Sequence, residues 1–167
     1  MFDKNRQGQL DKEGVWMHSI AVAGASKLIA KHLKLTTLED IFVAGLLHDV
    51  GKVILDQFVH EDYKAVFDCI ARKNILIGEA EYEVLEITHS QVGAYLATNW
   101  KLPGALVQMI GLHHKPELSG EFAKHTFCVH LADILVRALE IGNGGDKRIP
   151  FVCKPLWEEY GFDVERV

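Results

Sequence analysis

The chain of 167 residues is predicted to fold as an all-α domain, a compact helical bundle with its functional site between helices. Three observations favour this class. Apolar residues recur at helical spacing, capping patterns mark helix starts, and no segment shows the apolar–polar alternation of a strand. The length is that of one domain with at most a short appendage. We therefore expect a single domain with a core over about 11–142 and a C-terminal appendage over 143–167.

Four helices are predicted in the first half of the chain, with approximate bounds 11–34, 38–50, 53–58 and 62–73. The first carries apolar residues at roughly helical spacing among many alanines: Val15, Ile20, Ala23, Leu28 and Ile29. Thr36 and Glu39 form a capping-box pattern that opens the second helix. Gly51 is well placed to end that helix, because glycine readily adopts the backbone conformation found at helix C-termini.

The second half is predicted to hold four more helices: 79–86, one beginning at His89, 103–113 and 121–141. Thr88 and Gln91 form a second capping-box pattern, which puts His89 at the first helical position. Gly142 is expected to end the last long helix. The glycine-rich stretch 142–145 is expected to be flexible.

Composition narrows the classes of partner. The formal net charge of -5 at pH 7 argues against a nucleic-acid or anionic-membrane surface. It does not exclude phosphate substrates, because bound metal ions reverse the local field. Cys69, Cys128 and Cys153 form no CxxC pair, which indicates free thiols in a reducing compartment. Since the N-terminus is polar and no apolar run reaches membrane length, we expect a cytoplasmic protein.

An apolar run over 44–47 ends in His48 and Asp49, and Lys52 follows one turn later. Burying a charge here is costly unless it is paired or binds a metal. We therefore hypothesise that His48 and Asp49 hold a divalent metal ion and that the Lys52 ammonium steadies a phosphate. The alternative is a core histidine that is hydrogen-bonded to its neighbour.

Two side chains do not fill a coordination sphere, so other helices must supply the remaining ligands. His18 has small and apolar helical neighbours, which predict a buried imidazole. Asp133 lies in the apolar stretch 131–135, where an unpaired carboxylate would be costly. Arg137, four residues on, is the alternative partner for this carboxylate.

Three more histidines stand at predicted helix ends, and each taken alone is more simply interpreted as a surface or hydrogen-bonded residue. With the four residues above they give seven candidate ligands: His18, His48, Asp49, His89, His113, His114 and Asp133. These are too many for one ion and suit two ions bridged by a carboxylate, an arrangement used in phosphoryl chemistry. Mixed imidazole and carboxylate ligands suit iron, manganese, nickel or zinc. Three other histidines are interpreted as surface residues: His32, His60 and His125.

The order of these residues resembles the HD superfamily of metal-dependent phosphohydrolases, whose pattern is a histidine, a His-Asp pair and a distant aspartate. The matching residues are His18, His48, Asp49 and Asp133. The chain is most similar to the HDOD (HD-related output) domains of bacterial signalling proteins, in the stretches 16–19, 44–52, 89–96, 100–103, 113–116 and 131–133. The extra histidines also resemble the HD-GYP phosphodiesterases of cyclic dinucleotides: His89, His113 and His114.

This resemblance implies a role for each residue. One ion would be held by His18, His48, Asp49 and Asp133, and Asp49 would bridge to a second ion held by His89, His113 and His114. Asp49 and Lys52 would be the catalytic residues, with Lys52 at a substrate phosphate. The implied function is hydrolysis of a phosphate ester or nucleotide in bacterial signalling. The alternative is a non-enzymatic regulatory module that binds a ligand or a signalling partner protein, as many HDOD domains do.

The chain departs from the family patterns in three respects. The segment 115–118 (Lys-Pro-Glu-Leu) stands where HD-GYP proteins carry Gly-Tyr-Pro, which puts cleavage of cyclic dinucleotides in doubt. Gly14 stands where members with three metals carry a glutamate, which leaves at most two ions. HDOD proteins usually carry another helical half before the stretch 16–19, and we expect that half to be absent here.

Overall fold

The computed structural model describes residues 10–162, and within this range the chain is all-helical, as predicted. The helices are α1 (Lys12–His32), α2 (Leu38–Leu47), α3 (Val50–Phe58), α4 (His60–Lys73), α5 (Ile77–Leu85), α6 (His89–Asn99), α7 (Gly104–Leu112), α8 (Ala123–Ala138) and α9 (Lys154–Glu159). Two short 3₁₀ turns lie between α7 and α8. No helix in this range is long and apolar enough to cross a membrane.

Two apolar clusters hold the bundle together. The first is shared by α1, α2, α7 and α8 and includes Val22, Ile41, Met109 and Val129. The second is shared by α3, α4 and α5 and includes Leu55, Val66 and Ile77. Helix α6 packs against both α3 and α7 and therefore connects the two halves of the bundle. The polar centre described below lies where these helices meet.

The sequence predicted the position of helix α1 accurately, but it predicted only part of the face that the helix buries. Asp11 caps the helix by accepting a hydrogen bond from the Gly14 backbone N–H at 3.0 Å. Val15 and Ala23 of the predicted apolar face are buried. However, two members of that face are largely exposed: Ile20 and Leu28.

One of the two predicted capping boxes is confirmed. At the start of α6, the Thr88 side chain accepts from the Gln91 backbone N–H, and the Gln91 side chain accepts from the Thr88 N–H. The prediction for α2 is wrong, because the helix is preceded by Thr37 rather than Thr36 and Thr37 makes no side-chain capping bond. The confirmed box fixes His89 as the first residue of α6.

Gly51 does not end the second helix, contrary to the prediction. Helix α2 ends at Leu47, and Gly51 lies in the first turn of α3, after a turn formed by His48 and Asp49. A Cβ atom at Gly51 would overlap the backbone carbonyl of His89. The glycine is therefore required for the close approach of α3 and α6, which brings the 48–49 turn beside the first residue of α6.

The stretch 142–145, expected to be flexible, is held on the body of the domain. The Asn143 N–H donates to the Gly14 carbonyl at 2.9 Å. Gly142 has a φ of +71° and packs so closely on the His18 backbone that a side chain would not fit. After this stretch, Leu156 of α9 packs against Phe127 of α8. Residues 163–167 of the predicted appendage lie outside the described part of the chain.

Candidate metal centre

His48 and His113 are positioned by the same local device. Each follows directly after the last residue of a helix, α2 for His48 and α7 for His113. The His48 Nδ1–H donates to the Gly45 carbonyl at 2.7 Å, and the His113 Nδ1–H donates to the Ile110 carbonyl at 2.8 Å. In both rings Nε2 is buried without a hydrogen-bond partner among the described residues. This is the orientation in which a metal-binding imidazole presents its free nitrogen.

Asp49 lies between two sets of imidazoles. Its Oδ2 is 3.3 Å from His48 Nε2 and 3.8 Å from His18 Nε2. Its Oδ1 is 3.4 Å from His89 Nε2 and 4.0 Å from His113 Nε2. The side chain is 1% exposed, and Oδ1 has no hydrogen-bond partner in the described part of the protein. Each carboxylate oxygen therefore faces a different pair of histidines.

The first set of candidate ligands comprises His18, His48 and Asp133, whose ligand atoms all lie within 4.8 Å of one another. His18 Nε2 is 2.9 Å from Asp133 Oδ1, and Arg137 Nε donates to the same oxygen at 3.1 Å. Burial disfavours ionised Asp133, but the His18 hydrogen bond and the Arg137 charge outweigh it and hold its pKa well below the usual value. Arg137, the alternative partner predicted from the sequence, therefore contacts Asp133, and His18 contacts the same oxygen.

The second set comprises His89, His113 and His114, and its ligand atoms also lie within 4.8 Å of one another. His89 Nε2 and His114 Nε2 are 3.0 Å apart, which is hydrogen-bond distance for one N–H between two imidazoles. Burial and the neighbouring imidazoles hold the pKa of His113 and of His114 well below the ordinary histidine value. These rings are neutral near pH 7, which is the form that binds metal.

Lys52 is buried within the centre rather than exposed at its surface. Its ammonium donates to Asp49 Oδ2 at 2.6 Å and to the Gly144 carbonyl at 2.8 Å, and the residue is fully buried. Burial disfavours the Asp49 carboxylate, but His48 and Lys52 outweigh it and hold the Asp49 pKa well below its usual value. Lys52 is thus the charge partner of Asp49.

Glu81 belongs to the centre although the sequence analysis did not select it. It is fully buried, and its Oε2 accepts from both the backbone N–H and the Nδ1–H of His89, at 2.7 and 2.6 Å. Its Oε1 accepts from the Tyr63 hydroxyl at 2.8 Å. The available signal was a carboxylate on the buried stripe of α5, next to Ala80 and one turn after Ile77.

His130 is a second residue that the sequence analysis left without a role. It is buried on α8, and its Nδ1–H donates to the His113 carbonyl at 2.8 Å. Its Nε2 accepts from the Cys153 backbone N–H at 2.9 Å. His130 therefore links the segment before α9 to a candidate ligand. The three histidines interpreted as surface residues are exposed or half-buried: His32, His60 and His125.

A cleft of about 1320 Å³ leads to the centre, and His114 is the candidate ligand that lines it. Arg137 and Lys115 also line the cleft, together with the exposed rings of Tyr82 and Phe151. The other six candidate ligands are buried behind His114.

The residues fit a divalent metal. His48 Nε2, His113 Nε2 and Asp49 Oδ1 are buried, converge on one another and have no hydrogen-bond partner among the described residues. Buried polar atoms without partners are costly, and a cation between them would satisfy all of them. The mixture of imidazole and carboxylate suits iron, manganese, nickel or zinc.

The fold and the centre define an all-helical protein with clusters of histidine and aspartate that can bind metal. Comparison with known sequences identifies the class: the family model described as the HDOD domain matches residues 1–116. The chain therefore belongs to the HDOD family.

Two curated relatives are similar to part of the chain. A cyclic di-GMP phosphodiesterase of Pseudomonas aeruginosa is 31% identical over 110 residues, which cover 65% of this chain and 24% of that protein. An uncharacterized protein of Treponema pallidum is 27% identical over 104 residues, which cover 62% of this chain and 20% of the relative. The matched region thus spans about a fifth to a quarter of these relatives.

A solved structure shows the same fold. The crystal structure of an HDOD domain protein of unknown function from Geobacter sulfurreducens aligns with a TM-score of 0.79 and 31% identity. The alignment covers 90% of this chain and 51% of the Geobacter chain.

Proposed function

We propose that this HDOD domain is a metal-dependent phosphohydrolase that acts on a phosphate ester or nucleotide in bacterial signalling. The observation that carries the proposal is the position of Asp49, whose two oxygens face different pairs of imidazole nitrogens at 3.3–4.0 Å. A carboxylate placed in this way suits a bridge between two ions. The proposal assigns one ion to His18, His48, Asp49 and Asp133, and the other to Asp49, His89, His113 and His114.

Each residue of the centre has its own role in the proposed reaction. Bound divalent ions would polarise the phosphoryl oxygens and make a nearby water more acidic. Lys52 keeps Asp49 ionised, and Arg137 does the same for Asp133, so both carboxylates are ready to bind metal. His114 lies between the cleft and the buried ligands, where a phosphate would arrive. We assign Lys52 to positioning Asp49 rather than to direct contact with the phosphate.

The cleft supports a substrate larger than a simple phosphate. Its volume of about 1320 Å³ is above the ~300–1,000 Å³ typical of small-molecule pockets. Lys115 offers a cation near His114, and the exposed rings of Tyr82 and Phe151 offer flat surfaces for a base. The relative from Pseudomonas aeruginosa is described as a cyclic di-GMP phosphodiesterase, which supports testing phosphodiesters as well as monoesters.

A second candidate function is a regulatory module that binds a ligand or a signalling partner protein without turnover. Burial favours it: His18, His48, Asp49 and Asp133 are at most 2% exposed, so a substrate has little access to the first set of ligands. A buried metal in such a module would hold helices together rather than activate water. The phosphohydrolase requires metal and turnover, whereas the regulatory module requires no turnover.

The test is a panel of phosphate monoesters, diesters, nucleotides and cyclic dinucleotides, assayed with added Mn²⁺ or Fe²⁺. We expect turnover of at least one member and none by the Asp49→Asn variant under the same conditions. Tight binding of one nucleotide without turnover of any member would refute the phosphohydrolase and favour the regulatory module. Turnover that persists in Asp49→Asn would refute the assignment of the site.

A further inference from the structure

The charges around the two sets of ligands are not balanced in the same way. Asp133 in the first set is paired with Arg137, and Asp49 between the sets is paired with Lys52. Glu81 lies behind the second set, and its described hydrogen-bond partners are the N–H groups of His89 and the Tyr63 hydroxyl. Neither of these is a permanent cation. The Glu81 charge is therefore the one in this centre that lacks a lysine or arginine partner among the described residues.

Glu81 also determines which nitrogen His89 presents to the centre. A carboxylate accepts hydrogen bonds, so the 2.6 Å contact places a proton on His89 Nδ1. The opposite nitrogen, Nε2, then carries the lone pair that can bind metal, and it lies 3.0 Å from His114 Nε2 and 3.4 Å from Asp49 Oδ1. The bond from the His89 backbone N–H to the same Glu81 oxygen fixes the position of the carboxylate relative to the start of α6. Ring orientation and tautomer are thus set by one residue.

We propose that Glu81 is a positioning residue that selectively retains the second metal ion, the one assigned to His89, His113 and His114. It acts through His89 in two ways, by fixing the Nδ1–H tautomer and by supplying a negative charge close to the ion. Among the described residues Glu81 makes no hydrogen bond or ion pair with His18, His48 or Asp133, so binding of the first ion should depend on it much less than binding of the second. The inference rests on the two-ion centre proposed above and adds the residue that distinguishes the two ions.

Tyr63 provides a matched control on the same carboxylate. Its hydroxyl donates to Glu81 Oε1, whereas His89 uses Oε2. Tyr63→Phe removes one hydrogen bond and leaves the Glu81 charge and both His89 contacts in place. Glu81→Gln keeps an acceptor oxygen and the size of the side chain but removes the charge. The two variants therefore separate the loss of a hydrogen bond from the loss of charge.

The experiment is calorimetric titration of the metal-free protein with Mn²⁺, with elemental analysis of the saturated protein. We expect two ions in the wild type. In Glu81→Gln the first ion should bind within about 3-fold of wild type, and the second should bind about 10–100-fold more weakly, as is typical when a partner behind a metal ligand is removed. Tyr63→Phe should weaken the second ion by less than Glu81→Gln does.

Three results would overturn the inference. The first is that the wild-type protein binds only one ion. The second is that Glu81→Gln binds the second ion as tightly as the wild type does. The third is that Glu81→Gln loses affinity for both ions equally. Nitrogen-15 NMR of the metal-free wild type gives an independent check, since we expect a proton on His89 Nδ1, the nitrogen that faces Glu81. Observation of the Nε2–H tautomer would also refute the proposal, even if a variant failed to fold. Two bound ions without turnover would refute the phosphohydrolase and leave the role of Glu81 intact.

Discussion

Replacement of Asp49 by asparagine should affect stability and metal binding by separate routes. The Lys52 ammonium, fully buried, contacts the Asp49 carboxylate at 2.6 Å. Removal of one member of a buried ion pair leaves an uncompensated charge and costs roughly 3–5 kcal/mol. In a domain of this size each kcal/mol corresponds to about 2–4 °C in Tm. We therefore expect metal-free Asp49→Asn to melt roughly 6–20 °C below metal-free wild type.

A second substitution separates the two routes. Lys52→Met removes the buried ammonium while keeping a chain of similar length, and the Gly144 carbonyl retains a donor from Arg137 at 3.2 Å. The double variant should recover most of the lost stability, because no unpaired charge remains.

Metal binding should not recover in the double variant. The shared carboxylate is absent from both assigned ions, and we expect each affinity to fall by at least about 100-fold, since even partners behind a ligand contribute 10–100-fold. Thermal unfolding without metal and elemental analysis after Mn²⁺ loading provide the two measurements. A double variant that binds both ions normally would refute the assignment of Asp49. A single variant as stable as wild type would refute the ion-pair argument.

Three further perturbations follow from the geometry. Gly51→Ala should destabilise the protein by about 2 kcal/mol or more, because the added Cβ would overlap a backbone carbonyl of α6. Gly24→Ala is the control: there is open space around this glycine, so the substitution should be neutral or stabilising. Urea unfolding measures the free energy of unfolding of both variants. Burial lowers the pKa of His113 and of His114 in the folded protein, so the unfolded chain binds these protons first and metal-free stability should fall as pH drops below 6.5, by up to about 1.4 kcal/mol per pH unit for each of the two groups. His113→Gln should remove its share of that slope, and an unchanged slope would contradict this assignment. Arg137→Met leaves both Asp133 and Asp146 without their cation and should lower metal-free stability by about 3 kcal/mol or more. Saturating Mn²⁺ should raise Tm more in this variant than in wild type, because the ion would compensate Asp133; equal shifts would count against a metal at Asp133.

Many residues of the centre could be selected from the sequence because they are polar residues within otherwise apolar stretches. His18 and Asp133 are polar residues on otherwise buried helix faces, where the cost of burial calls for a partner. The capping box at Thr88 likewise located His89 from local chemistry alone. Such signals depend on neighbours within one or two turns, and the sequence contains all of them.

What the sequence did not predict depends on contacts between distant segments. Gly51 was assigned to a helix end by its usual preference, but its position is determined by a carbonyl 38 positions later. Glu81 was overlooked because its partners, Tyr63 and His89, lie in other helices. The stretch 142–145 looked flexible by composition, yet its backbone meets Gly14. These contacts arise only when the helices are assembled.

The stretch around Gly144 has a thermodynamic consequence for the centre beneath it. Its carbonyl accepts from Lys52 and from Arg137, the two cations that neutralise Asp49 and Asp133. An arriving divalent ion would compete with these cations for the carboxylates, so metal binding is linked to the hydrogen bonds that hold this stretch. Linkage is reciprocal: a change that weakens the Gly144 hydrogen bonds would alter metal affinity by the same factor by which metal alters their formation. Substitutions beside the buried Gly144 are therefore expected to change metal affinity without contacting the ion.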